Sequence, residues 1–222
     1  MQMFQTDSID KSKLTHLGDT LKYAFYVIFH PLDGFWDLTH EKRGSIAAAN
    51  VITAALILVE ILRLTLTDFQ FVKTHGEDLN IVVIAFRILL PMLLWTVVNW
   101  GLTTLLDGKG RLLDIYMATA YAFTPYILIN AVMIAVSHVI TLQEDAIYIF
   151  FTGLAMVWCV FLVLAAMMEI HDYSLTKAIG STLLSIVGMG VMLFIFLIFF
   201  GLITDAVAFF IAIYKELIFR GN

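Results

Sequence analysis

Three charged residues that could do chemistry lie in segments that are otherwise apolar and long enough to cross a membrane. Glu60 and Arg63 share one segment, and Arg87 lies in the next. A lone charge in a membrane-spanning helix costs about 2.5–3.5 kcal/mol, so each should find a partner. At 1.5 Å per residue, Glu60 and Arg87 lie roughly 9–12 Å from the same membrane surface. We predict a Glu60–Arg87 ion pair, with Arg63 reaching toward that surface; the alternative is an ion or proton relay or a polar substrate site.

The glycine-rich stretch Gly108-Lys-Gly110-Arg111 is the second candidate, because phosphate-binding loops contain similar residues. No serine or threonine follows its lysine, and no strand precedes it, so we interpret it as a reverse turn. Gly108 and Gly110 can adopt positive φ in such a turn. Glu169 and His171 point apart on a helix and do not form a metal site. With no catalytic signature elsewhere, we expect no enzyme, no metal and no cofactor.

The composition is that of an integral membrane protein. Of the 222 residues, 61% are hydrophobic and 14% charged, and the mean hydropathy is +0.92. Soluble proteins are about 45–50% apolar and about 25% charged. The single cysteine, Cys159, excludes an intrachain disulfide. We expect an all-α fold with the lipid bilayer and other membrane proteins as partners, and no nucleic acid.

The hydrophobic pattern predicts three regions: a segment 1–45, a domain 46–203 and a C-terminal segment 204–222. In the first, apolar residues recur at helical spacing over 14–29, which indicates an amphipathic helix on the membrane surface. Pro31 should begin a second short helix, and Trp36 should lie at the membrane interface. The last segment either continues the final span or folds onto the membrane. The domain between them should hold five spans, at 46–66, 81–106, 114–141, 146–170 and 178–203.

Polar and helix-breaking residues inside these spans have predicted structural roles. Asp114 should cap the third span, and Pro125 should break it at about 16 Å from the turn and free the carbonyl of Tyr121. Asn99 and Asn130 should form hydrogen bonds between helices. Small residues on the fifth span should allow close packing against another helix of this chain or against a partner protein; they are Gly180, Ser181, Ser185, Gly188, Gly190 and Gly201.

The distribution of basic residues predicts the orientation, because cytoplasmic connections carry an excess of lysine and arginine. With the N-terminus inside, eight basic residues face the cytoplasm, and three or four face the other side. The inner set is Lys11, Lys13, Lys22, Lys42, Arg43, Lys109, Arg111 and Lys177, and the outer set is Lys73, Lys215 and Arg220, with Arg63 near that side. We therefore expect a cytoplasmic N-terminus and an external C-terminus.

Three pieces of sequence resemble Yip1-family membrane proteins of the bacterial branch. They are Phe29-His-Pro-Leu-Asp-Gly-Phe-Trp36 with Glu41-Lys-Arg-Gly-Ser45, the turn Gly108-Lys-Gly-Arg-Leu-Leu-Asp114, and Tyr121-Ala-Phe-Thr-Pro-Tyr126. The resemblance implies a cytoplasmic N-terminal segment followed by five spans. It also implies a non-enzymatic helper, similar to bacterial accessory subunits that associate with ABC-type transporters in the cytoplasmic membrane. Eukaryotic members are linked to small GTPases and vesicle traffic, but their N-terminal domain is longer.

Two other functions are alternatives to that of an accessory subunit. The amphipathic segments at the two ends could act as wedges in a membrane-shaping scaffold. A small transporter could instead use Glu60, Arg63 and Arg87 as its polar site, with the helix break at Pro125 as a gate.

Overall fold

Eight α-helices account for most of the residues that the computed structural model describes, which are 2–68, 71 and 80–220. No β-strand occurs within those ranges. Lys73, which was counted on the outer side, lies outside them. The helices are α1 (Gln2–Phe29), α2 (Pro31–His40), α3 (Ile46–Leu66), α4 (Ile81–Leu105), α5 (Leu112–Ala122), α6 (Thr124–Val136), α7 (Asp145–His171) and α8 (Leu175–Arg220), and the 3₁₀ turn Leu142–Glu144 precedes α7.

Five of these segments are long and apolar enough to cross a membrane, which confirms the predicted fold class. They are α3, α4, α5 together with α6, α7 and α8. Capping residues fix where two of them begin. The Ser45 hydroxyl accepts a hydrogen bond from the amide of Ala48 at 3.1 Å, and the Asn80 side chain accepts one from Val82 at 2.9 Å.

The spans alternate in direction, so their connections gather at two ends of the bundle. The turn before α5 contacts the turn before α8 through Lys109 and Asp172, and we call this end the turn face. At the other end, the amide of Asp68 donates to the Ser137 hydroxyl at 3.2 Å across the two remaining connections. We call that end the loop face. α1 and α2 pack on the bundle near the turn face.

α1 begins earlier than predicted. It starts at Gln2 instead of near residue 14, because no glycine or proline interrupts the chain before Gly18. The break at His30 and the start of α2 at Pro31 are as predicted.

Pro125 breaks the third span as predicted. α5 ends at Ala122, α6 begins at Thr124, and the hydroxyl of Thr124 donates to the freed carbonyl of Tyr121 at 2.7 Å. The span is therefore bent without leaving a buried acceptor unpaired. A second proline inside a helix, Pro91 of α4, was not singled out from the sequence.

α8 is one unbroken helix, so the C-terminal segment continues the fifth span. Its 46 residues extend about 69 Å at 1.5 Å per residue, against about 30 Å of bilayer hydrocarbon. Only its first part packs on the bundle. From Gly190 to Glu216 every side chain is exposed, and we call this stretch the free arm.

Candidate functional site

The turn between α4 and α5 does not use its glycines as predicted. Neither Gly108 nor Gly110 has positive φ; the left-handed residue is Asp107, at φ 59°. Asp172, on the facing turn, is also left-handed, at φ 53°. Aspartate tolerates this conformation because its short side chain can form local hydrogen bonds. The expectation of positive-φ glycines was therefore wrong.

The glycines are needed because the two turns lie very close together. A Cβ atom at Gly108 would lie 2.7 Å from Nδ1 of His171 and 2.8 Å from the hydroxyl of Tyr173. A Cβ atom at Gly110 would overlap Ile170 and lie 2.6 Å from Cε1 of His171. The absence of side chains at these positions allows the backbone of this turn to pack against the side chains of Ile170, His171 and Tyr173.

An ion pair closes the exposed side of this contact. The Lys109 ammonium lies 2.6 Å from a carboxylate oxygen of Asp172 and holds the pKa of that carboxyl below its usual value. The pair is solvent-exposed, so it contributes little to stability. Tyr173 closes the other side by donating to the Leu106 carbonyl at 3.0 Å, and burial raises the pKa of its phenol.

A chain of hydrogen bonds runs from this turn into the bundle. The amide of Gly110 donates to Nδ1 of His171 at 3.1 Å, which leaves Nε2 to carry the proton in the neutral ring. Nε2 lies 3.3 Å from the side-chain oxygen of Asn99, whose amide nitrogen donates to the hydroxyl of Ser185 at 3.1 Å. His171, Asn99 and Ser185 are all buried. The chain ties the turn, α4, α7 and α8 together.

The two span asparagines therefore differ. Asn99 forms the hydrogen bonds between helices that were predicted. Asn130 instead donates to the carbonyl of Tyr126, one turn earlier in its own helix, at 2.9 Å. The predicted hydrogen bonding between helices is thus confirmed for Asn99 and wrong for Asn130. Tyr126 lies four residues before Asn130, so its carbonyl is within reach of the Asn130 side chain on the same helix.

Asp114 stabilises the start of α5 from a different position than predicted. The helix begins at Leu112, so Asp114 is its third residue and Arg111 is the capping residue. The Asp114 carboxylate accepts from the amide of Arg111 at 3.2 Å. Because the carboxylate reaches back to an unpaired amide and lies near the positive end of the helix dipole, it still favours the helix start.

The predicted Glu60–Arg87 ion pair is wrong. Glu60 pairs with Arg63 on its own helix, at 2.7 Å and 2.9 Å, and accepts a hydrogen bond from the Tyr126 hydroxyl at 2.9 Å. A spacing of three residues places Glu60 and Arg63 on one helix face, so they meet without any movement of the backbone. Arg87 is close enough to interact electrostatically with Glu60, but has no ion pair within 4.0 Å among the described residues.

A double-mutant cycle should distinguish these two arrangements. We expect Glu60→Gln and Arg63→Gln to be coupled by about 0.5–3 kcal/mol in the free energy of unfolding, as residues in contact are. A second cycle that combines Glu60→Gln with Arg87→Gln is the matched control. We expect its coupling free energy to be smaller than that between Glu60 and Arg63. Unfolding of the purified protein in mixed micelles measures both. A larger coupling for Glu60 with Arg87 would contradict the observed pairing.

Tyr121 contacts the N-terminal helix α1 from the third span. Its side chain is fully buried, and its hydroxyl donates to the Thr20 carbonyl of α1 at 3.0 Å. The Thr20 hydroxyl lies 3.2 Å from that of Ser45, at the start of α3.

Between α1 and α2, Tyr23 donates to the Asp37 carboxylate at 2.9 Å, and burial together with this carboxylate raises the Tyr23 pKa.

The N-terminal helices also carry exposed apolar side chains. Phe25 and Phe29 of α1 and Leu32 and Trp36 of α2 are between 43% and 75% exposed. The spacing of four residues places Phe25 and Phe29 on one face of α1, and Leu32 and Trp36 on one face of α2. Aromatic residues beside a bundle of spans are typical of the membrane interface, as proposed for Trp36.

On α8, the small residues divide into two groups. Ser181 and Ser185 are buried, and a Cβ atom at Gly188 would lie 2.7 Å from Val98 of α4, so this part packs within the chain. Gly180, Gly190 and Gly201 have no atom within 4 Å of a Cβ position. Close packing on α4 is therefore seen at Gly188, whereas Gly180 has no such contact and Gly190 and Gly201 lie on the free arm.

The sequence-based prediction missed the partners of the turn. His171 was considered only as a metal ligand, and Asp172 and Tyr173 were not assigned a role with the turn. No periodicity reveals a contact between two turns 61 residues apart. Among the described residues, no three His, Cys, Asp or Glu side chains form a metal-binding group.

The fold and these contacts define a multi-pass helical membrane protein whose polar residues join helices and turns. A family model described as the Yip1 domain matches residues 25–203. The chain therefore belongs to the Yip1 family of membrane proteins, and the match includes α2, the glycine turn and the Pro125 break. Neither a curated protein nor a solved structure matches the chain.

Proposed function

We propose that the protein is a non-enzymatic accessory subunit of a membrane assembly, with the permease of an ABC-type transporter as its partner. We further propose that it belongs to the bacterial branch and lies in the cytoplasmic membrane, N-terminus inside. The excess of basic residues on the N-terminal side supports this orientation. The proposal of a transporter partner rests on the resemblance described above, and the observation that supports a partner is the free arm of α8.

Helix α8, which includes the free arm, is longer than the membrane requires. The apolar part of α8 after Lys177, residues 178–214, is about 55 Å long and is interrupted mainly by Thr204 and Asp205. Even at a tilt of about 40°, a helix crosses the hydrocarbon within about 39 Å of its length. About 16 Å of apolar helix is left over. A partner protein would cover this surface, which no part of the described chain covers.

Co-purification tests this proposal. The tagged protein, at native expression in a mild detergent, should bring down an ABC-type permease. We expect Gly190→Trp and Gly201→Trp on the free arm to reduce the amount of permease recovered at least several-fold, because the bulky side chain blocks close helix approach. Gly153→Trp on α7 is the matched control, since that position also has no atom within 4 Å.

Recovery of the protein alone in several mild detergents would overturn the proposal. Equal recovery of the permease with the free-arm variants and with the Gly153→Trp control would remove the free arm as the docking surface. Both results are measured by mass spectrometry of the purified fraction.

A further inference from the structure

A cavity of about 500 Å³ lies between the spans, within the range of small-molecule sites. Helices α3 to α8 all contribute to its wall. Most lining side chains are apolar, and the charged ones, Glu60 and Arg87, lie at the end nearer the loop face. The cavity thus has one charged end and a long apolar remainder.

Among the residues that the structure describes, the charged end carries one positive charge that no ion pair neutralises. Glu60 is already neutralised by Arg63 and accepts from Tyr126. Arg87 has no ion pair within the described part of the chain. Since a lone charge at this depth is unfavourable, an anionic group at this end would lower the energy of the site.

The length of the cavity matches one leaflet of a bilayer. Along α4, its lining extends from Ile84, near the loop face, to Trp95. The eleven steps from Ile84 to Trp95 span about 16 Å, which is about half of the ~30 Å hydrocarbon thickness. An acyl chain can lie along this wall with its headgroup toward the loop face, and the long Arg87 side chain can extend its guanidinium from a Cα roughly 9–12 Å deep toward that headgroup.

The cavity is open at its side. Met156 and Val160 of α7 and Ile186 of α8 line it and remain 50%, 54% and 55% exposed. These residues lie in the middle of membrane spans, where the surrounding solvent is lipid hydrocarbon. A lipid chain can therefore enter from the bilayer, whereas a water-soluble ligand would have to cross hydrocarbon.

We propose that this cavity binds one acyl chain of an anionic phospholipid, with the lipid phosphate at Arg87. The apolar wall takes the chain, and the guanidinium selects the anionic headgroup. The site is independent of the free arm, so it does not rest on the proposed partner.

Trp95 provides a direct test because it lines the deep part of the cavity and is only 9% exposed. Its indole is held by a hydrogen bond to Thr119 at 3.2 Å. A protein with Trp95 as its only tryptophan is obtained by changing Trp36, Trp100 and Trp158 to phenylalanine. It is reconstituted with phosphatidylglycerol or phosphatidylcholine that carries the same brominated acyl chain, since bromine quenches tryptophan fluorescence on contact.

We expect brominated phosphatidylglycerol to quench Trp95 at least threefold more strongly than brominated phosphatidylcholine at equal mole fraction. Arg87→Gln should remove the difference. Lys177→Gln, which removes a cation near the turn face, is the matched control and should preserve it. Val163→Phe, which fills the cavity wall, should reduce quenching by both lipids.

Equal quenching by the two lipids would overturn the anionic selectivity, and absence of quenching by either would overturn the acyl-chain site. If the single-tryptophan protein does not fold, lipid binding is tested by native mass spectrometry of the unmodified full chain released from mixed-lipid nanodiscs. Retained phosphatidylglycerol that is lost with Arg87→Gln supports the proposal, and retention unaffected by Arg87→Gln contradicts it.

Discussion

Tyr121→Ala is expected to lower the free energy of unfolding by about 3–5 kcal/mol, the usual cost of removing a buried aromatic ring. Tyr121 is fully buried in the main apolar cluster, and its hydroxyl bonds to α1. We therefore expect α1 to separate from the spans and to become accessible to protease. Unfolding in mixed micelles measures the first effect, and trypsin cleavage at Lys22 measures the second.

Tyr121→Phe separates the ring from the hydroxyl. It keeps the packing and removes only the bond to Thr20, so the expected loss is about 0.5–1.5 kcal/mol. Cleavage at Lys22 should increase much less than with alanine. If the alanine variant is cleaved no faster than the unmodified protein, Tyr121 does not hold α1.

The second large effect is expected at the glycine turn. Gly110→Ala should destabilise the protein by about 1–3 kcal/mol, because the new Cβ overlaps Ile170 and the ring of His171. His171 is held by Asn99 and by the backbone of the turn, so it cannot move aside without loss of hydrogen bonds. The midpoint of thermal unfolding in detergent measures the change.

Gly153→Ala is the control for this substitution. Gly153 lies inside α7 with no atom within 4 Å of its Cβ position, so alanine there should be neutral or stabilise by about 0.5–1 kcal/mol. Equal effects at Gly110 and Gly153 would show that close approach of the turns is not the reason for glycine at 110.

The spans could be predicted from the sequence because their signal is local. The first span, 46–66, agrees with α3 at both ends, since Ser45 caps it and the apolar run defines its length. Pro125 was predictable for the same reason, because the effect of proline on its own helix needs no knowledge of neighbouring helices.

Partners across the fold could not be predicted in this way. Equal depth in the membrane was compatible with a Glu60–Arg87 pair, but depth does not determine how far apart two helices lie or how they are rotated. Arg63, one turn away, forms the pair instead. With Glu60 held by Arg63 and Tyr126, the structure offers less support for a transporter that uses Glu60 as a free carboxylate.

The contact between the two turns has a consequence for biogenesis. Gly110 is synthesised 61 residues before His171, the acceptor of its amide hydrogen bond. At about 5–20 residues per second, this turn waits about 3–12 s for its partner. During that interval α4 and α5 form a hairpin without α7, and Asn99 is in the membrane without the imidazole that pairs with it. The turn face is therefore completed late in translation, and only a chain that has inserted its fourth span acquires it.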